Sequence, residues 1–299
     1  MLTSKKNVLR GNEFSWGLCY DLNRFAGLQV YFQAISSGSS LAIVEAPCAP
    51  SDVVKLFAKN HVNCLSGTPS FWRKFLMTQG SNLIDLRRIT LGGEIADQAV
   101  LSSLSKVFKN SKISHIYAST EAGVGFSVQD GLTGFPLEYI DSSNQTGVEL
   151  KILDNILWVK SKGSASGILS GSLIIDKCGF INTGDIVEIK DNRVLFVGRD
   201  SGTINVGGNK VIPEEVESIL NGCADILQSR VFGKKNSVLG MLVNAEIVVK
   251  SSYGLEQEKA LKKELIFLCK SELEAFKVPV VIKIVEEIAV NDAGKIVRI

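Results

Sequence analysis

The sequence predicts an α/β N-terminal sheet domain with a small antiparallel β subdomain, followed by a compact α+β C-terminal domain. Three observations point to it. Over about 1–130, strand-like and helix-like segments alternate, the rhythm of a largely parallel sheet with helices on its faces. Over about 131–198, short alternating strands follow one another with turn residues between them, as in a partial barrel. After Arg199 come a capped helix, a hairpin, a long helix and a strand, together a unit of domain size. The domains are therefore expected at 1–199 and 200–299, with the boundary near 199–202.

The elements follow in order. "RFAGLQVYFQAISSG" has apolar residues at helical spacing and stops at Gly38, a residue suited to a helix C-terminus. "SLAIVEA" reads as a buried strand. "PSDVVKLFAKNH" is a helix opened by Pro50, Ser51 and Asp52 as its cap. "VNCLSGTP" is a strand into a turn and "PSFWRKFLMTQ" a helix. "RRITLGGE" is a strand into a glycine turn, "ADQAVLSSLSKVFKN" a helix and "KISHIYAST" the next strand. "GVELKILDNILWVKS", "GSLIID" and "DIVEIKDNRVLFVG" alternate as strands, with a hairpin turn at Asp191 and Asn192. "PEEVESILNG" is a helix with Pro213 at its start and glycine at its end. "SRVFGKKNSVLGMLVNAEIVV" reads as a hairpin, "LEQEKALKKELIFLCKSEL" as an amphipathic helix and "VVIKIVEEI" as a strand.

Composition narrows the function. The 299 residues carry 33 basic and 31 acidic side chains, a net charge of +2 with no basic cluster longer than a pair. That balance supplies no electrostatic footprint for nucleic acid. Six cysteines stand singly, with no CxxC pair to suggest zinc or a disulfide framework. Free thiols, the absence of an apolar leader in "MLTSKKNVLRGNEF" and the lack of an uncharged apolar run near ~18 residues predict a cytoplasmic protein without a membrane span. His61 and His115, the only histidines, stand near strand starts with no partner motif and read as structural.

Several short motifs carry chemistry. "LGGE" places Gly92, Gly93 and Glu94 at a strand-to-helix turn, where glycines permit close approach to a flat ligand; its plainer reading is a tight turn with an acidic first helical turn. "IYASTEAG" sets Tyr117, Thr120 and Glu121 just past a strand. There a ring can stack, a hydroxyl can donate to phosphate and a carboxylate can hold Mg²⁺. "NTGD" puts Asp185 between two predicted strands, as a ribose acceptor or as part of an ordinary hairpin turn. "GRDSGTINVGGN" is not a GxGxxG motif and has no βαβ setting, so its glycines alone make no phosphate cradle. Lys295, in "NDAGKIVRI", would as a lone lysine be a solvated terminal residue, with Gly294 letting a turn project it.

The series is more specific than its parts. "LGGE", "YASTE", "TGD", "GRDSGTINVGGNKVIPEEVE" and a terminal "GK", in this order, resemble the adenylate-forming superfamily of acyl-CoA synthetases, peptide-synthetase adenylation domains and luciferases. The resemblance runs from about Trp16 to the C-terminus. "RFAGLQVYFQAISSGSSLAIV" and "GGNKVIPEEVE" are most similar to small acid–CoA ligases of the o-succinylbenzoate kind.

What the resemblance implies is a ligase that joins a carboxylate to ATP, releases pyrophosphate and passes the acyl group to a thiol of CoA or of a carrier protein's phosphopantetheine. Gly92, Gly93 and Glu94 would line the adenine and acyl pocket, and Tyr117 would lie against adenine. Thr120 would touch the α-phosphate, Glu121 would hold Mg²⁺, and Asp185 and Arg199 would hold the ribose. Lys295, on a mobile C-terminal lid, would bridge the carboxylate and α-phosphate. Asp200 and Ser201 would be the hinge, with Ser201 replacing the usual aspartate or lysine. Gly207 and Gly208 would flank the pantetheine arm. Asn205 stands where many relatives carry lysine, and Ala118 where glycine is common. The family's Ser/Thr/Gly-rich phosphate loop, and the first sheet of its N-terminal domain, would precede Trp16 and find no counterpart in "MLTSKKNVLRGNEF". Three readings follow: a shortened ligase that still adenylates, a half enzyme completed by a complementary chain, or a non-catalytic binder of AMP, acyl-adenylate or a carrier protein. "GVGFSVQDGLTGFP", with little charge, would border a pocket for a mostly apolar or aromatic acid.

Overall fold

The structure, a computed structural model, describes residues 13–44, 48–119, 123–141, 147–161, 174–291 and 295–297. These divide into two compact units. One holds the chain to Thr183, residues 189–195 and Lys295; the other holds Gly184–Glu188, Phe196–Asn291 and the residues from Ile296.

The first unit begins with strand β1 (Ser15–Leu18), helix α1 (Phe25–Ser37) and strand β2 (Ser40–Ile43). Gly38 ends α1 as expected, at a left-handed φ of 67°. Next come α2 (Pro50–Lys59), β3 (Cys64–Gly67), α3 (Pro69–Met77), β4 (Arg88–Gly92), α4 (Gln98–Val107), β5 (Lys112–Ser119) and β6 (Gly123–Val128). The strands form one sheet in the order β2-β1-β3-β4-β5-β6. All its pairs are parallel except β5 with β6. The predicted parallel sheet is present, and β1 and the antiparallel β6 are additions that the sequence pattern had not marked.

Alternate side chains of a strand face opposite sides of a sheet, and β3 shows it. Leu65 joins a core with Phe57, Trp72, Phe75, Ile89, Leu91, Leu101 and Leu104, from α2, α3, α4 and β4. Its neighbour Cys64 joins a second cluster with Trp16, Leu18, Val30 and Ala34, under α1. The helices thus cover both faces. Phe57 also explains Gly17: a Cβ there would lie 2.9 Å from the Phe57 ring and from Leu65.

Two local expectations are corrected. "SLAIVEA" is not a buried strand, since β2 is a sheet edge with only Ala42 buried. Pro50 opens α2, so the cap falls on the preceding Ala49, which offers no side-chain acceptor; Asp52 instead pairs with Lys55 at 2.9 Å within the first turn.

A five-stranded sheet follows, built from β7 (Phe135–Pro136), β8 (Val148–Leu153), β9 (Ile156–Ser161), β10 (Ile181–Lys190) and β11 (Arg193–Arg199), with a short α5 (Glu138–Asp141) between β7 and β8. Its order is β7-β11-β10-β9-β8. Asp191 and Asn192 form the expected turn, with φ of 48° and 62°, and Asp154 and Asn155 repeat it between β8 and β9 at 53° and 60°. Both positive φ values fit the right-handed twist of the flanking strands. "NTGD" is no hairpin turn and does not separate two strands: it lies inside the ten-residue β10. The turn falls earlier, at Asp176, whose Oδ1 accepts from the Cys178 and Phe180 amides at 2.9 and 2.8 Å.

The second unit contains β12 (Ile204–Val206), β13 (Asn209–Val211), α6 (Pro213–Gly222), β14 (Ile226–Asn236), β15 (Gly240–Val249), α7 (Leu255–Glu272) and β16 (Val281–Ile284). Val216 and Leu220 of α6 and Leu261, Leu265 and Cys269 of α7 pack with Val231, Val243, Ala245 and Ile247 of the sheet. The last glutamate of "PEEVE", Glu217, is buried because its Oε1 accepts the Val231 amide at 2.8 Å. A helix carboxylate thereby ties α6 to β14.

Candidate active site

Sheet topology brings the first group of candidates together. In the parallel register Gly67 stands beside Leu91, and Gly92 beside Ile116. The carboxyl ends of β3, β4 and β5 therefore lie side by side on three adjacent strands, the place where open α/β sheets hold ligands. Thr68 follows β3, Gly92 ends β4 with Gly93 and Glu94 after it, and Tyr117, expected just past a strand, lies within β5.

Each is fixed locally. Thr68 caps α3, accepting from Phe71 N at 3.1 Å, and is buried. Gly93 has a φ of 85°; a Cβ on it would lie 3.5 Å from Cε of Lys295 and 3.7 Å from Cγ2 of Thr68. Lys295 thus belongs to the same unit as the "LGGE" turn and reaches it. At Gly92 a Cβ would meet only Ile116 O, at 3.8 Å, so neither glycine is needed for room, and Gly93 is needed for its left-handed φ. Glu94 is not in a helical first turn, because α4 starts at Gln98 with Asp97 as its cap. The Glu94 carboxylate instead accepts the Ser70 amide at 2.9 Å, at the start of α3. There it meets the positive end of the helix dipole. Asp97 caps α4 through Val100 N at 3.0 Å and also pairs with Arg73 of α3.

Tyr117 stacks on Phe126, with ring centroids 5.2 Å apart and planes 16° apart. Phe135 and Tyr139 continue the aromatic cluster around Phe126. Gly125 is what admits the tyrosine, since a Cβ there would lie 2.9 Å from Tyr117 Cδ1. Thr68, Gly125 and Phe126 were not singled out from sequence. Gly125 gave no signal from sequence because β6 was not marked as a strand; within the strand, a glycine marks close approach of another group. Thr120, Glu121 and Gly294 lie outside the described residues.

The second group lies in the second unit. Asp185, buried on β10, accepts from Arg199 Nε at 2.7 Å, while the arginine side chain is half exposed. Asp200 and Ser201 form a single 3₁₀ turn, Asp200–Gly202, and Asp200 pairs with Lys210 at 2.9 Å. Gly207 and Gly208, with φ of 57° and 91°, make the two-residue turn between β12 and β13. Asn205 accepts the Gly208 amide at 2.9 Å, a bond that a lysine at this position could not accept.

The titratable groups outside these clusters read as structural. His115 Nε2 lies 3.0 Å from Leu132 O, and burial holds its pKa below the ordinary 6.5. Burial raises the Cys64 thiol to about 12 and Cys269 to about 11, so neither is a ready nucleophile. Among the described residues no group of three or more His, Cys, Asp or Glu side chains is placed to hold a metal ion. Among them also, no helix is long and apolar enough to cross a membrane.

Residues 18–167 match the AMP-binding enzyme family, and residues 215–295 match the AMP-binding enzyme C-terminal domain. The chain belongs to the AMP-binding enzyme family. The chain is 25% identical over 295 residues to the 2-succinylbenzoate–CoA ligase of Listeria innocua serovar 6a, covering 95% of itself and 60% of that relative. It is 28% identical over 148 residues to the medium/long-chain-fatty-acid–[acyl-carrier-protein] ligase FadD10 of Mycobacterium tuberculosis, covering 48% of itself and 27% of the relative. Its fold is that of the anthranilate CoA ligase AuaEII, solved with anthranoyl-AMP. The TM-score is 0.76 at 19% identity, over 96% of this chain and 58% of that one. The chain therefore spans about 60% of the length of the Listeria ligase and of AuaEII, and its fold is the adenylate-forming fold.

Proposed function

We propose that the chain is an acid–thiol ligase. It activates a carboxylate with ATP as acyl-AMP and passes the acyl group to the thiol of CoA or of a carrier-protein phosphopantetheine. Beside family membership, the observation that carries this reading is the convergence of Thr68, Gly93 and Lys295 at the carboxyl end of the parallel sheet, with Tyr117 on the next strand.

In the first half-reaction a carboxylate oxygen bonds to the α-phosphorus, and the bond from that phosphorus to pyrophosphate breaks. Lys295 lies between carboxylate and α-phosphate and offsets the negative charge that builds there. Thr120 donates to the α-phosphate. The Tyr117 ring, held flat by Phe126, lies against adenine, and the backbone of Gly92, Gly93 and Glu94 lines the adenine and acyl pocket. The Glu94 side chain anchors that turn to α3. Asp185 takes the ribose hydroxyls; a carboxylate has lone pairs beyond the one that Arg199 uses. Within the first unit a stacked ring and a turn without a side chain suit an adenine, and within the second a buried carboxylate suits ribose hydroxyls. Glu121 would hold Mg²⁺, whose chemistry there is to neutralise phosphate charge. In the second half-reaction the thiol sulfur bonds to the acyl carbon and AMP leaves. Residues 200–299 serve as a lid over the 1–199 domain, turning at Asp200 and Ser201, with Gly207 and Gly208 beside the pantetheine arm.

Titration of the purified chain with AMP and with Mg-ATP, followed by pyrophosphate release over a panel of apolar and aromatic acids, tests the reading. Binding of both nucleotides and acid-dependent release are expected. Lys295→Ala is expected to slow adenylate formation about 10²–10³-fold, as loss of one donor to a developing oxyanion does, and to spare AMP binding. Equal rates would remove the lysine's role. AMP binding without ATP binding would favour a half enzyme that a second chain completes. Binding without turnover of any acid would favour a non-catalytic binder. No binding of either nucleotide would overturn the reading.

A further inference from the structure

The segment that carries Lys295 is tethered from β14. Ile296 pairs antiparallel with Val290, and Val297 N donates to Ala289 O at 3.1 Å. Arg230 Nη1 also anchors this short pairing, donating to Val297 O at 3.0 Å. The guanidinium is itself held in place. Its Nη2 meets Glu246 Oε2 at 2.6 Å, and Glu246 stands directly opposite in the β14–β15 register. The Phe232 ring, two residues along and so on the same face, lies 5.0 Å from the guanidinium carbon. Both members of the ion pair are largely buried, at 15% and 19% side-chain exposure. Alternation along β14 sends Val231 into the helix-covered core and leaves Arg230 on the opposite face of the sheet.

We infer that Arg230, oriented by Glu246, is a positioning residue for Lys295: it fixes the carbonyl two residues beyond the lysine and so sets where the ammonium is delivered. The inference rests on the role proposed above for Lys295. A planar guanidinium suits the task, because it can serve a carboxylate and a carbonyl at once in fixed directions, whereas a lysine holds neither direction. A misplacement of about 1 Å at a reacting group costs about 10²-fold in rate, so loosening this tether is a kinetic event even though Arg230 touches no substrate.

The test compares Arg230→Met, Arg230→Lys, Glu246→Gln and Lys295→Ala in the full chain, with two readouts. Hydrogen exchange at the Val297 amide reports the tether. The rate of adenylate formation, with KM for ATP measured separately, reports the delivery of the lysine. Arg230→Met is expected to raise exchange at least tenfold and to lower kcat about 10–100-fold with little change in KM. Arg230→Lys should not restore the wild-type rate, and Glu246→Gln should show a smaller version of both effects. Glu246→Gln keeps the guanidinium bond to Val297, so it still reads the tether should Arg230→Met fail to fold. Lys295→Ala should lose the rate with exchange unchanged. Unchanged exchange in Arg230→Met would overturn the tether. Raised exchange with an unchanged rate, where Lys295→Ala is slow, would overturn the positioning role alone. A wild-type rate in Lys295→Ala would overturn the lysine reading and the positioning role with it, while the exchange result would still stand for the tether.

Discussion

Two glycine pairs look alike in the sequence and serve different ends. Gly92–Gly93 follows a parallel strand and reaches a left-handed φ of 85° at Gly93, where Lys295 and Thr68 stand at ordinary van der Waals distance from a missing Cβ. Gly207–Gly208 turns a hairpin, and there the handedness matters: both φ values are positive, and a Cβ on Gly208 would meet nothing within 4 Å. Gly93, Gly207 and Gly208 are all required by a left-handed backbone, and what differs is which side chains stand beside it.

Substitution separates the two. Gly93→Ala should give the largest effect. It adds about 1–2 kcal/mol of left-handed backbone strain in the turn that faces Lys295, so thermal unfolding and adenylate formation should both suffer. Gly208→Ala should carry a similar strain and lower the unfolding temperature comparably, yet leave adenylate formation near wild type. Equal losses of adenylation in the two variants would erase the distinction. The smallest effect is expected from Asn205→Ala, which removes the acceptor for the Gly208 amide. That exposed bond is worth about 0.5–1 kcal/mol, read as a small drop in the denaturant midpoint. A loss as large as that of Gly208→Ala would mean that the side chain, not the glycine, holds the turn.

The comparison also shows how far the sequence could be read. The helices and most strands of the first unit were legible because their apolar spacing is regular and their ends carry Gly, Pro or Asp. β1 and β6 were not. β1 is only four residues long, and β6 interleaves glycines for close packing against Tyr117. "NTGD" misled because its composition is that of a turn. Gly184 there does have a turn-like φ of 70°, yet the flanking residues continue as one strand. Glu94 misled differently. Its position suggested the start of α4, but its carboxylate serves the start of α3, an element that precedes it in the chain.

By itself the sequence determined the element order, the class of fold and the family likeness, because periodicity, caps and ordered motifs are local properties of a chain. Tertiary structure decided which of those motifs share a place. Parallel pairing of β3, β4 and β5 set Thr68, Gly93 and Tyr117 side by side across some fifty residues of chain. A bond from β14 fixed the carbonyl just beyond Lys295 across 67 residues. Sheet register and side-chain reach are relations between distant segments, and such relations leave no periodic trace in either segment alone.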